Sequence, residues 1–157
     1  MNKKTNAVRM LDKLGITYEI VEYEVDENDL SAVHIAKEAG MSIEQVFKTL
    51  VVRGDKTGIY VACIPGGLEL NLKEISRLTG NKKSELVHVK ELLNLTGYIR
   101  GGCSPIGMKK SYPTFLDGSA LKFSSIFISA GQRGLQIKIN PKDLQQITGA
   151  KIGIIAE

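Results

Sequence analysis

The apolar positions along the chain change period several times. Val8, Leu11 and Leu14 recur at helical spacing, with Thr5 placed to cap and Gly15 to stop, so residues 5–15 read as a short amphipathic helix. In residues 16–23, Tyr18 and Ile20 alternate and Tyr23 follows after Val21, the pattern of a half-buried strand. Ser31 opens a second helix that runs to about Ala39 and closes at Gly40, and Ser42-x-x-Gln45 has the capping-box pattern of one brief turn. The β-rich runs 46–53 and 59–64 are joined by five turn-forming residues, Gly54-Asp55-Lys56-Thr57-Gly58, and read as a hairpin. Asn71 is placed to cap a helix through Leu78, ended by Thr79-Gly80. A short helix is expected around Val89–Leu93 and a late one over Pro141–Ile147, with proline in its first turn. Phe123–Ser129, Leu135–Ile139 and Ile152–Ile155 supply the remaining apolar runs. Helices and strands interleave irregularly, with no repeat, low-complexity stretch or linker, so residues 1–157 are expected to form a single α+β domain with a mixed sheet.

Composition supports a folded domain. The chain has 157 residues, 43% hydrophobic and 24% charged, enough to bury a core of its own. No apolar run approaches the roughly 20 residues of a membrane-spanning helix. Met1–Thr5 and the mixed segment with Arg9, Asp12 and Lys13 lack a secretory apolar region, so a cytoplasmic location is expected. Cys63 and Cys103 show neither CxxC spacing nor a nearby histidine pair, which leaves no metal or redox signature. Charge is unevenly placed: residues 18–48 carry a net of −6, whereas residues 49–157 carry +7. A basic body with one acidic segment suits a polyanion touched over part of the surface, although an uneven solvated surface gives the same pattern.

Three segments carry candidate chemistry. In Gln45–Leu50, Lys48 lies on a strand whose alternate residues Val46, Leu50 and Val52 are apolar. Such a cation is desolvated, paired, reaching into a cleft, or snorkelling to water from an edge strand. In Gly101–Gly107, three glycines and a proline form a tight turn able to offer backbone N–H groups to an anion or a polarised carbonyl; an ordinary loop is the alternative. In Ser129–Ile137, a strand breaks at two glycines and resumes, with Arg133 meeting either phosphate or solvent. His34 and His88 have no defensible Ser or Cys partner, and Cys103 needs a neighbouring base or cation to act as a nucleophile.

Taken in order, QVFKTL at 45–50, GGCSPIG at 101–107 and SAGQRGLQI at 129–137 resemble the YbaK/EbsC family of aminoacyl-tRNA deacylases. That family is related to the editing domain inserted in bacterial prolyl-tRNA synthetases, and the resemblance runs from the first helix to the final strand. It implies a mixed β-barrel-like sheet flanked by helices, the YbaK/aminoacyl-tRNA synthetase-associated fold. The activity it implies is trans-editing, the release of mischarged cysteine from Cys-tRNA(Pro) without cofactor or metal. Its partner would be aminoacylated tRNA(Pro), with prolyl-tRNA synthetase as a further candidate and neither DNA nor membrane. A synthetase pocket built for proline rejects a smaller side chain by only about 1–3 kcal/mol, so a second site is needed. The resemblance assigns Lys48, Gly101 and Gly102 to catalysis and Tyr23, Leu30, Thr49, Ser104, Gly107, Ser129 and Gln136 to substrate binding. At Gln136 some relatives carry an acid. In cysteine-specific members the substrate thiol attacks its own ester. An alanine-specific deacylase and a non-catalytic tRNA- or synthetase-binding module are the alternatives.

Overall fold

The computed structural model describes residues 4–157. Met1–Lys3, part of the basic N-terminal stretch, lie outside the described residues. Five α-helices and eight strands are present among them, in the order α1 (Asn6–Leu14), β1 (Glu19–Glu22), α2 (Ala32–Ala39), β2 (Phe47–Gly54), β3 (Gly58–Pro65), α3 (Leu72–Thr79), β4 (Ser84–Leu86), α4 (Leu92–Thr96), β5 (Thr114–Asp117), β6 (Ile126–Ser129), β7 (Leu135–Ile139), α5 (Pro141–Thr148) and β8 (Lys151–Gly153). Three of the caps are those the sequence offers, whereas Ser42, read as a capping box with Gln45, caps no backbone N–H and donates its hydroxyl to Glu44 Oε2 instead. Thr5 Oγ1 accepts from Val8 N, Ser31 Oγ from His34 N and Asn71 Oδ1 from Glu74 N, each satisfying an orphan N–H of a first turn.

The α+β expectation holds, with one difference in the sheet. Rather than closing into a barrel, the strands form a five-stranded sheet, β4-β2-β3-β5-β8, and a three-stranded one, β1-β7-β6. A single parallel bridge between Val46 and Phe127 links them. The main core lies where α1, α5, β6 and β7 meet one face of the larger sheet, around Leu11, Val61, Leu116, Ile128, Ile137 and Leu144. A second core covers the opposite face, where Ile75 of α3 and Ile155 pack against Val52, Tyr60, Ala62 and Ile64.

The feature that positions the site is the outer edge of β2. At its start it meets β6 through the Val46–Phe127 bridge, and Gln45 Nε2 donates to Ser125 O beside it at 2.9 Å. At its end it pairs with β4 (Val52 opposite Leu86), and Val87 N donates to Val51 O at 3.0 Å. Between these two anchors the strands splay apart. Directions alternate along an antiparallel ladder; because Val51 O points away from β3, the N–H and C=O of Thr49, two residues back, face the same gap.

Candidate active site

The gap opens into a cavity of about 520 Å³. One wall is Lys48, Thr49, Leu50 and Val51 of β2; Leu30, Ala32 and Ile35 come from α2 and the loop before it. Arg100, Gly101 and Cys103 close a second side, Ser129 and Gln136 a third, and Leu86–Val89 with Leu92 form the outer end. Six of the residues singled out from sequence therefore converge: Lys48, Thr49, Leu30, Gly101, Ser129 and Gln136.

The other four stand elsewhere. Gly102 does not line the cavity, and its N–H is spent on Ile99 O at 2.9 Å. A Cβ there would meet the backbone of Gln132 and Arg133 at 3.0–3.1 Å, so this glycine seats the 99–102 turn against the β6–β7 turn. Ser104 is fully buried, its hydroxyl accepting from Ile106 N at 3.3 Å within its own loop. Gly107, at φ 74°, lies where a Cβ would strike Asn6 and Ala7 at 2.8 Å, so it lets the loop dock on α1. Tyr23 sits at the end of β1 with its N–H donating to Gly134 O at 3.0 Å. Among the described residues, the cavity-lining Gly101 and Cys103 donate their N–H groups to no other group, whereas that of Gly102 is taken.

Lys48 is half-buried and makes no ion pair among the described residues. Desolvation holds its ammonium below the ordinary lysine value, with the charge of Glu69 opposing that shift in part. Gln136 is 3% exposed, and its Oε1 is buried without a donor among the described residues. A buried acceptor that no group donates to is costly. Burial pushes the Cys103 thiol up to about 11 and that of Cys63 up to about 12, so neither is a ready thiolate. No histidine side chain reaches a Ser or Cys by hydrogen bond among the described residues, and no cluster of His, Cys, Asp and Glu there fits a metal ion.

Arg133 meets neither of the partners expected for it. Its Nε donates to Arg100 O at 2.8 Å and its Nη1 to Glu27 Oε2 at 2.6 Å. One guanidinium thus ties the loop before α2, the 99–102 turn and the β6–β7 turn together around the cavity. The cavity is also lined by His88, set aside in sequence for want of a Ser or Cys partner, and by Arg100, which sequence reasoning did not single out.

The comparisons bear on the fold and the family. The model of the aminoacyl-tRNA editing domain matches residues 26–147. The Enterococcus faecalis protein EbsC, a proposed Cys-tRNA(Pro)/Cys-tRNA(Cys) deacylase, is 46% identical over 153 residues, covering 98% of this chain and 93% of its own length. Proline–tRNA ligase of Brachyspira hyodysenteriae is 26% identical over 116 residues, 73% of this chain and 20% of the ligase. The crystal structure of a proposed trans-editing enzyme for prolyl-tRNA synthetase superposes with a TM-score of 0.85 at 27% identity, covering 99% of both chains. The fold is that of an editing domain. The chain belongs to the aminoacyl-tRNA editing domain family, in agreement with its YbaK/EbsC resemblance. No helix among the described residues is long and apolar enough to cross a membrane.

Proposed function

We propose that the chain is a trans-editing deacylase that releases cysteine from Cys-tRNA(Pro), in the cytoplasm and with prolyl-tRNA synthetase as the source of the error. The observation that carries this reading is a cavity lined by one half-buried, unpaired cation but by no activated protein nucleophile. In this mechanism the substrate's sulfur attacks its own ester carbonyl. A C–S bond forms, the C–O bond to the ribose breaks, the thiol proton ends on the ribose oxygen, and the cysteine leaves as a thiolactone. Lys48 faces the charge that develops on the carbonyl oxygen, the N–H groups of Gly101 and Cys103 are available to share it, and Thr49, Ser129 and Gln136 line the wall that receives the cysteinyl group. Gly102, Ser104, Gly107 and Tyr23 support this arrangement by holding the loops.

A deacylation assay with Cys-, Ala- and Pro-tRNA(Pro) tests the proposal. Release from Cys-tRNA(Pro) in clear preference to the other two is expected. Turnover of Ala-tRNA(Pro) alone would place a bound water in the attacking role, and binding without release would make the chain a carrier module.

Arg133→Ala is expected to lower kcat/KM about tenfold in the same assay, less than the ~10²-fold that a 1 Å misplacement can cost. Arg133→Lys should not restore the rate, because a single ammonium does not span Arg100 O and Glu27 together as the fork of a guanidinium does.

A further inference from the structure

The cavity is larger than the group it is proposed to act on. At about 30 Å³ per water-sized group, a cysteinyl ester fills roughly a third of the 520 Å³. The cavity's lining extends to the β4 end, where Leu86, Val87, His88, Val89 and Leu92 form the wall. Val87 and Leu92 pack inward against Val51, whereas Leu86 is 49% and Val89 60% exposed.

These apolar side chains are held open by a built framework. Arg53 grips Glu91 through two hydrogen bonds of 2.8 and 3.3 Å, Glu91 Oε2 accepts from His88 N at 3.0 Å, and Val87 N is fixed on Val51 O. Leu86 stands abreast of Val52, four residues along β2 from Lys48. At the usual rise per residue of a strand that is about 13 Å, the order of the length of an aminoacyl-nucleoside.

We propose that this outer lobe is a subsite for the terminal adenine of the substrate, taken up between Leu86, Val89 and the His88 ring while the ester lies at Lys48. The inference rests on the deacylase reading, since it is the ester that brings a 3′-terminal adenosine into this cavity: the base is carried one ribose ring from the scissile bond. Leu86, Val89 and the His88 ring offer apolar and aromatic surface to the flat face of a base. The lobe therefore recognises the nucleoside common to every tRNA and leaves the choice among tRNAs to other contacts.

The test uses the full chain and two model esters with the same leaving oxygen, 3′-O-cysteinyl-adenosine and the cysteinyl ester of the base-free 1-O-methyl riboside. The wild type is expected to favour the adenosyl ester by about 10–100-fold in kcat/KM, mainly through KM. The Leu86→Ser/Val89→Ser double variant, altered only at exposed positions, should bring that ratio to within about threefold of one. Adenosine alone should shift the methyl resonances of Leu86 and Val89 in the wild type. Equal kcat/KM for the two esters, or adenosine shifts that miss both residues, would overturn the subsite while leaving the deacylase intact. If neither ester is cleaved, the deacylase reading falls instead. The adenosine titration then decides the lobe by itself, shifts at Leu86 and Val89 supporting it and their absence removing it.

Discussion

Lys48→Ala is expected to slow release of the aminoacyl group by about 10²–10³-fold, the usual loss for a principal electrostatic group at a developing oxyanion. The half-buried Lys48 ammonium is on the inner wall, with Thr49, Ser129 and Gln136, whereas Arg100 is exposed. Removing it leaves only backbone dipoles to meet the transition-state charge. The loss should appear in kcat, because the ester carbonyl carries little charge before attack. Lys48→Met should behave alike and keep its melting temperature. Burial disfavours the charged form of Lys48 in the folded state, so the unfolded chain holds this proton more firmly and folding stability rises with pH through the titration. A neutral side chain of similar length therefore does not weaken the fold, and a slow variant with an unchanged Tm separates chemistry from unfolding. The rate should depend on pH in the opposite sense. It is full while the ammonium is charged and falls as pH rises through a pKa lying below the ordinary 10.5, a limb that Lys48→Met should lack. A variant that retains full activity would remove Lys48 from the mechanism.

Blocking the substrate's thiol should have a still larger effect. S-methylcysteinyl-tRNA(Pro) is expected to be released at least about 10³-fold more slowly than Cys-tRNA(Pro), since intramolecular attack carries effective molarities of ~10⁵–10⁸ M that an outside nucleophile lacks. The protein offers no substitute. With the Cys103 thiol pushed up to about 11 by burial, only about one molecule in ten thousand carries its thiolate at pH 7. Equal release of the two substrates would transfer the attack to water and overturn the thiol mechanism while leaving the requirement for Lys48 in place.

Where a local signal exists, the chain announces its structure well. The caps at Thr5, Ser31 and Asn71, the hairpin at residues 54–58 and the break between Ser129 and Leu135 were all legible, because each depends on a few neighbouring residues. β4 and β5 were not. Ser84-Glu85-Leu86 has no apolar alternation, and Thr114–Asp117 is four buried residues ending in a carboxylate. Both are strands only because β2 and β3 supply partners from far along the chain. The same blindness affected the site. The glycines of residues 101–107 look alike in sequence, yet Gly101 faces the cavity, Gly102 seats one turn on another, and Gly107 makes room for α1. Which of these a glycine does depends on what approaches it from elsewhere in the fold. For the same reason Arg133, read from sequence as a cation awaiting phosphate or water, proved to be the clasp between three loops.

The gap beside β2 also bears on what the proposed deacylase must leave untouched. Bare strand edges attract other strands, and a nascent polypeptide attached to tRNA carries an extended chain into any site that accepts its ester. Here the bare stretch is only Lys48–Leu50, about 10 Å at the rise of a strand, and it is shut by β6 at one end and β4 at the other. One residue finds its hydrogen bonds there, while a second has no ladder to join. On the deacylase reading, a truncated ladder of this kind is expected to confine release to single amino acids and to spare the growing protein on the ribosome.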